Sequence, residues 1–167
     1  AHQVQQGFDV WYPRYLSFPG VFKRFDGFFM AVATYPLLRR LRRQKRLDLI
    51  DAHFGYPDGY AATRLGRWLD VPVSITLRGT EYRHSKSRAL ARRLVQAFQQ
   101  SSHIFSVSAA LRDVALALGA PDAKVQVVGN GVDTVKFVAL PQLECRRLLD
   151  LPQGCPVLIS VGGLVER

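Results

Sequence analysis

Residues 47–81 carry a hydrophobic pattern that predicts a strand, a helix and a second strand in immediate succession. Residues 47–52 form a short apolar run, and residues 72–77 form another that is rich in β-branched side chains. Both runs are typical of buried strands. Between them, apolar side chains recur at helical spacing through residues 61–69. This connection is long enough for a helical crossover, which predicts that the two strands run parallel with a right-handed connection.

The rest of the chain continues the alternation of strands and helices. A strand is predicted at 8–12 and a long helix at 25–46. The later pattern predicts a helix at 85–100, a strand at 103–107, a helix that begins after Ser108, a strand at 125–128, a helix at 144–150 and a strand at 156–161. This alternation predicts an α/β fold, a parallel, doubly wound sheet with helices on both faces.

Composition and charge narrow the class of protein. A chain of 167 residues with 48% hydrophobic composition can bury a substantial core. It has no apolar run long enough to span a membrane, so we expect a cytoplasmic protein. The formal net charge of +10 favours a negatively charged partner: nucleic acid, anionic lipid or a phosphorylated small molecule. Because no recognisable nucleic-acid-binding module accompanies the charge, we expect no nucleic acid partner.

A basic stretch, residues 39–46, concentrates arginine and lysine at the end of the predicted long helix. One interpretation is a solvated helix end, where cations suit the C-terminal end of the helix dipole. The other is a peripheral surface for anionic lipid at the inner face of a membrane, since Leu37, Leu38 and Leu41 lie beside the cations in sequence. The sequence leaves both interpretations open.

Familiar signatures of metal and cofactor sites do not occur. Cys145 and Cys155 are interpreted as free thiols, and the four histidines lack the spacing of a zinc site. The chain has no P-loop signature and no serine-hydrolase elbow, and its glycine pattern is a weak match to a dinucleotide fingerprint. We therefore expect no metal and no bound cofactor.

Polar residues instead gather where the predicted strands end, which is the edge at which parallel sheets bind ligands. His53 follows the first strand of the opening segment, and Arg78, Gly79, Thr80 and Glu81 follow the second. A cation, a glycine that lets backbone approach closely, a hydroxyl and a carboxylate together predict a binding cleft. The structural alternatives are a His53 that bonds to loop backbone and a Glu81 that pairs with a neighbouring arginine.

Another strand end, after residues 103–107, is flanked by Ser106 and Ser108. Their hydroxyls are predicted to reach the same edge of the sheet, so both join the candidate cleft residues. Helix capping alone would explain Ser108, because it directly precedes a helical pattern.

Five stretches, taken in order, carry a family resemblance: DLIDAHFGYPDGYAA (48–62), VPVSITLRGTE (71–81), HIFSVSAALRD (103–113), KVQVVGNGVDTVKF (124–137) and VLISVGGLVER (157–167). Together they resemble the N-terminal half of a family 4 glycosyltransferase of the GT-B type. The ordered series is specific, although each piece alone is weak, and residues 1–46 resemble the family loosely.

The resemblance implies two Rossmann-like domains that face each other across a cleft. Residues 1–138 would form the N-terminal domain, which binds the acceptor, a saccharide or a lipid-linked molecule. Residues 139–167 would be the linker and the beginning of the domain that binds a nucleotide sugar. Such enzymes typically retain the anomeric configuration and need no metal, so the donor would be a co-substrate and not a cofactor.

Several residues near the expected domain junction match motifs of the family. Asn130, Gly131 and Asp133 match the stretch that leads into the linker. Gly162 and Gly163 match the glycine turn where the donor phosphates approach backbone N–H groups. Further donor-binding residues would come after residue 167, so we expect this chain to be inactive alone.

Arg78 stands where many members of the family have a histidine near the transferring sugar. In a retaining transfer, charge builds on the leaving phosphate, and a fixed cation would stabilise it. Arginine keeps its proton at neutral pH and cannot act as a general base. Arg78 and Glu81 are therefore the candidate catalytic residues of a nucleotide-sugar-dependent glycosyltransferase. The rival hypothesis is a non-catalytic module on the same fold that binds nucleic acid or an anionic membrane.

Overall fold

The computed structural model describes residues 1–162, and the chain divides into two compact units at residues 130 and 131. The predicted domain boundary lay at residue 138. The first unit contains β1 (His2–Gln5), β2 (Phe8–Trp11), α1 (Asp26–Arg43), β3 (Ile50–His53), α2 (Tyr60–Leu69), β4 (Val73–Leu77), α3 (Thr80–Ser85), α4 (Arg88–Gln100), β5 (His103–Ser106), α5 (Ala109–Ala117) and β6 (Val125–Val127). The second unit contains α6 (Gln142–Leu148).

The centre of the first unit is a parallel sheet of four strands in the order β3-β4-β5-β6. Its register aligns Ala52, Ile75, Ile104 and Val125 across the sheet, one residue from each strand. All four side chains are buried. The sequence prediction of an α/β fold with a parallel sheet flanked by helices is confirmed, and it is of the Rossmann-like kind.

The core lies where α2, α4 and α5 pack on this row of apolar side chains. Leu94, Ala97 and Phe98 of α4 are fully buried there. The residues that alternate with the apolar row are largely polar, and Asp51, Ser74 and His103 form one such row. Successive strand residues point to opposite faces, so the sheet has an apolar face under the helices and a more polar face on the other side.

Three sequence predictions need correction. The helix predicted at 85–100 is α4, which begins later, at Arg88, and it follows a separate short helix, α3, that the pattern does not predict. The strand β1, which was not predicted, pairs antiparallel with β2. The strand predicted at 156–161 is absent from the described residues. An apolar run forms a strand only when a neighbouring strand offers hydrogen bonds, and this segment has no such neighbour in the described part of its unit.

The basic stretch, residues 39–46, covers the end of α1 and the turn after it. Its arginines are exposed, but Arg42 donates to the carbonyl oxygens of Leu47 and Asp70 at 3.2 and 3.1 Å. Leu41 is buried, and Leu38 packs on the small cluster between α1 and α2. Leu38 and Leu41 are thus turned towards the protein. None of the described helices is long and apolar enough to cross a membrane.

Candidate functional site

Arg78 lies at the carboxyl edge of the sheet, where it joins two segments that are distant in sequence. It directly follows β4, and its guanidinium is exposed. Its Nε and Nη2 atoms lie 3.1 and 3.0 Å from Nδ1 of His53, the last residue of β3. Its Nη1 donates to Oδ1 of Asn130 at 2.9 Å, just beyond β6. The structure therefore brings together three of the predicted site residues, which follow the carboxyl ends of β3, β4 and β6.

His53 is fixed from its other side by Asp51. Nε2 of His53 lies 3.3 Å from Oδ2 of Asp51, and Oδ1 of Asp51 accepts a hydrogen bond from the hydroxyl of Ser74. Since Arg78 can only donate, Nδ1 of His53 accepts, and the imidazole proton lies on Nε2, facing Asp51. Arg78, His53, Asp51 and Ser74 thus form a chain in which each side chain orients the next.

Arg78 has no carboxylate in direct contact, since the carboxylate of this chain, Asp51, lies on the far side of His53. Both of its acceptors, the imidazole of His53 and the amide of Asn130, are neutral groups. Within residues 1–162, no carboxylate lies within ion-pair distance of its guanidinium. The alternative that Glu81 pairs with Arg78 is therefore wrong. A positioned, exposed cation without a counter-charge is well suited to bind an anion.

Glu81 is fully buried and does not open on the cleft. Its Oε1 accepts from the backbone N–H of Gly55 at 2.7 Å, and its Oε2 accepts from the backbone N–H of Gly79 at 2.8 Å. Backbone donors thus satisfy the buried charge, as a buried carboxylate requires. Glu81 joins the loop after β3 to the loop after β4, which is a positioning arrangement.

Gly79 and Thr80 shape the turn between β4 and α3. Gly79 has φ of +127°, a conformation that side chains disfavour, and an added Cβ would meet nothing within 4 Å. Thr80 begins α3 and is half-buried, and its Oγ1 lies 3.5 Å from Oε1 of Glu81. The glycine is needed for its backbone angle, and the threonine hydroxyl is directed to the buried carboxylate.

Ser106 and Ser108 have structural partners. Ser106 is fully buried, and its hydroxyl donates to the carbonyl oxygen of Ser108 at 2.7 Å. The Ser108 hydroxyl accepts from the backbone N–H of Leu111 at 3.3 Å and caps α5. The capping alternative for Ser108 is confirmed.

The remaining predicted residues belong to the second unit. Asp133 accepts from the backbone N–H groups of Val135 and Lys136 at 2.9 and 3.0 Å, which makes it a turn residue. Gly131 and Gly162 are exposed. Gly163 lies outside the described residues.

A largely apolar cavity of about 310 Å³ opens beside His53, between α1, β3 and α2. Asp58 is half-buried in its wall, and burial raises the pKa of this carboxyl above its ordinary value. Asp51 lines the same cavity. Within residues 1–162, no group of three or more His, Cys, Asp and Glu side chains is arranged to hold a metal ion.

The sequence prediction overlooked Asp51 as a site residue. Asp51 stands two positions before His53 in β3, so both side chains point to the same face of the strand. This spacing was visible in the sequence. The contact of Arg78 with Asn130 was not, since the two residues are 52 positions apart and meet because of the order of the strands.

Comparison with known proteins agrees with this architecture. The family model described as Glycosyltransferase Family 4 matches residues 3–136. A Bacillus subtilis (strain 168) protein, TuaC, whose name assigns it provisionally to teichuronic acid biosynthesis as a glycosyltransferase, is 28% identical over 169 aligned residues. That alignment covers 99% of this chain and 43% of TuaC, so the chain spans less than half the length of this relative. The family match covers most of the described chain, and the chain belongs to glycosyltransferase family 4.

Proposed function

We propose that this chain forms the acceptor-side part of a glycosyltransferase that moves a sugar from a nucleotide-sugar donor to a saccharide or lipid-linked acceptor, with retention of configuration. Membership of family 4 supports glycosyl transfer as the general activity. The relative's name refers to teichuronic acid biosynthesis, which supports polysaccharide biosynthesis as the proposed setting. The proposal applies to the whole protein, since the chain spans 43% of the length of that relative.

The observation that carries the proposal is the uncompensated guanidinium of Arg78. In glycosyl transfer from a nucleotide sugar, the departing diphosphate gains negative charge as the glycosidic bond breaks. Donors that are already positioned stabilise such charge without reorganising during the reaction. His53 and Asn130 hold Arg78 in place, and neither is a carboxylate, so the guanidinium remains free to pair with an anion. Arg78 would act by electrostatics, and Glu81 would act by holding the two loops.

Replacement of Arg78 tests this role. In a protein that joins this chain to a family 4 donor domain, we expect Arg78→Ala to lower kcat by roughly 10²-fold or more, the usual effect of losing one donor to developing charge. Arg78→Lys keeps the charge but loses the planar guanidinium group, so its kcat should lie between that of the parent and that of Arg78→Ala. Turnover is measured as release of the nucleoside diphosphate.

Arg88→Ala is the matched control, because Arg88 is an exposed arginine at the start of α4. We expect it to leave turnover within about twofold of the parent, as surface changes usually do. If Arg78→Ala turns over donor as fast as the parent, Arg78 has no part in the mechanism. The same assay with EDTA tests the predicted independence from metal, which unchanged turnover would support.

We further propose that the protein works in the cytoplasm, at an anionic membrane surface. The exposed cations of the basic stretch support this, whereas Leu38 and Leu41 do not contribute, because they face the protein. Attachment would therefore be electrostatic and sensitive to salt. A non-catalytic anion-binding module remains the rival, and it is favoured if nucleic acid or vesicles bind while no donor is consumed.

A further inference from the structure

Two arginines from different helices, Arg64 of α2 and Arg93 of α4, converge on the hydroxyl oxygen of Tyr60. Nη2 of Arg64 donates to this oxygen at 2.8 Å, and Nη1 of Arg93 donates to it at 3.1 Å. Both guanidinium groups also lie over the Tyr60 ring, with their Cζ atoms 5.1 and 5.0 Å from its centroid. Tyr60 is 2% exposed, so its ring is a fixed platform on which two cations meet.

The protein supplies no negative charge in direct contact with this pair. Among the residues that the structure describes, no carboxylate lies within ion-pair distance of either guanidinium group. Besides the hydroxyl of Tyr60, the acceptors are the side-chain amide of Gln96 at 3.0 Å and the backbone carbonyl of Arg24 at 3.3 Å, both of which Arg93 contacts. Two like charges thus share one tyrosine oxygen, and a bound anion would offset their mutual repulsion.

Donor atoms of both arginines remain open to solvent. Nη1 of Arg64 and Nη2 of Arg93 make no hydrogen bond within residues 1–162. In the same range, Nε of Arg64 is the one arginine nitrogen that is both buried and without a partner, so these two Nη atoms are accessible. Each belongs to the same planar group as a nitrogen that is bonded to Tyr60. A ligand beside the Tyr60 hydroxyl can therefore reach an accessible N–H group on each guanidinium.

A phosphate group matches the charge and the geometry of this pair. Arginine binds phosphate through paired N–H groups of its planar guanidinium. A phosphate monoester carries about two negative charges at neutral pH, which equals the charge of two arginines. A carboxylate carries one negative charge and would leave half of the pair uncompensated. Both arginines are half-buried, so their guanidinium groups are more restricted than those of exposed arginines and are prepared for such a ligand.

We propose that Arg64 and Arg93, held by Tyr60, form a phosphate-binding site in the helical layer of the first unit. The phosphate group belongs either to a free phosphate compound or to a lipid headgroup. The site is separate from the hydrogen-bonded chain around Arg78, because that chain lies on the strands and at their ends, whereas these arginines project from α2 and α4. It does not depend on the transferase activity. A bound phosphate would bridge α2 and α4 and stabilise their contact.

Titration of inorganic phosphate into the ¹⁵N-labelled chain tests the site by NMR. Sodium chloride keeps the ionic strength constant, and the Nε–H resonances of Arg64 and Arg93 report binding at the two side chains. We expect both resonances to shift in a saturable way. Arg64→Ala and Arg93→Ala should each weaken phosphate binding about tenfold or more, because each removes a charge-assisted hydrogen bond. The remaining arginine of each variant reports its affinity.

Arg67→Ala and Arg92→Ala are the matched controls, because each removes one exposed arginine from the same two helices. Each control should bind phosphate within about twofold of the parent, as surface changes usually do. Arg64→Gln and Arg93→Gln keep a long polar side chain and lose the charge. They should lose as much affinity as the alanine variants, and they take the place of these variants if an alanine variant does not fold.

Vesicles separate the two sources of the phosphate group. Co-sedimentation compares phosphatidic acid, which presents a phosphate monoester, with phosphatidylserine. Shifts with inorganic phosphate identify a free phosphate compound as the ligand, whereas binding to phosphatidic acid alone, lost in the Arg64 and Arg93 variants, identifies a lipid headgroup. The proposal is overturned if neither probe binds through these two arginines, or if the Arg67 and Arg92 controls lose as much affinity as the Arg64 and Arg93 variants.

Discussion

At the scale of single residues, Glu81 shows how a buried charge can be structural. We expect Glu81→Gln to lower the free energy of unfolding by about 1–3 kcal/mol, because the amide NH₂ would face a backbone N–H and leave one buried group unsatisfied. Glu144→Gln, at an exposed position of α6, should change it by less than about 0.5 kcal/mol. Urea unfolding at neutral pH measures both, and equal effects would contradict the role of Glu81.

Asp58 gives a pH dependence of stability with a definite sign. Burial raises its pKa in the folded state above the ordinary value of 3.8, so folding favours the neutral form. The stabilisation that comes from burying the neutral Asp58 carboxyl is present below pH 3.8 and is lost as pH rises through the folded-state pKa. Asp58→Asn should therefore raise the free energy of unfolding at pH 7 and lose this advantage near pH 3.

Asp113→Asn is the control for this pH effect, since Asp113 is exposed on α5. Urea unfolding at several pH values should give parallel curves for this variant and the parent. If Asp58→Asn raised the free energy of unfolding by the same amount at both ends of the pH range, burial of the charge would not be the cause of the stabilisation.

At the residue scale, the sequence predicts where the strands end but not which groups the polar side chains there bind. Arg78 and His53 were found because strand ends are visible as the limits of apolar runs. Glu81 was placed in the right segment, but its burial was not predicted, because its two backbone donors come from loops that follow different strands. Hydrogen-bond partners of this kind depend on tertiary packing, which a local pattern does not contain.

At the scale of elements, the contact between α2 and β4 depends on Gly66. A Cβ at this position would lie 2.7 Å from the carbonyl oxygen of Val71 and closer still to the side chain of Val73. Alanine gains about 1 kcal/mol in helix propensity over glycine, but overpacking typically costs about 1–3 kcal/mol. Since backbone cannot give way easily, we expect Gly66→Ala to destabilise the fold.

Gly129→Ala is the control for Gly66, because a Cβ there would meet nothing within 4 Å. It should unfold within about 0.5 kcal/mol of the parent in urea. A Gly66→Ala protein that is as stable as the parent would mean that α2 can shift away from β4 at little cost.

Element prediction succeeded where the apolar pattern was strong. The pattern locates the strands and helices from β3 to β6 within a few residues, except for the short helix α3, which it does not predict. The pattern failed for β1, because HQVQ has a single apolar residue and no alternation with a core face. A better sequence signal is Gly7, which lies in the turn after β1. Gln6 and Gly7 both have positive φ there, as two-residue hairpin loops of this kind require. The segment 156–161 has the composition of a strand but has no strand to pair with among residues 131–162, the described part of its unit.

At the scale of the whole molecule, the net charge of +10 can attract an anionic membrane either through the basic stretch or through the surface as a whole. If the basic stretch contacts an anionic membrane, each arginine contributes about 1 kcal/mol. Replacing Arg39, Arg40 and Arg43 by Gln should then weaken binding to phosphatidylserine vesicles by roughly 100-fold. Co-sedimentation measures the binding, which should also fall as salt is raised.

A variant of equal net charge separates local contact from overall charge. Arg67, Arg88 and Arg92 are also exposed arginines, and replacing all three by Gln removes the same charge from α2 and α4. We expect this variant to keep most of the vesicle binding. Equal losses in the two triple variants would show that overall charge, and not the basic stretch, attracts the lipid.

Because the single carboxylate of Glu81 binds both Gly55 and Gly79, the loops that follow β3 and β4 are mechanically coupled. If either loop moved alone, the buried carboxylate of Glu81 would lose one of its two backbone N–H donors. His53 precedes the first of these loops and Arg78 precedes the second, so any opening would have to carry both loops as one rigid piece. The carboxyl edge of the sheet should therefore bind its ligands as a preformed surface that changes little on binding.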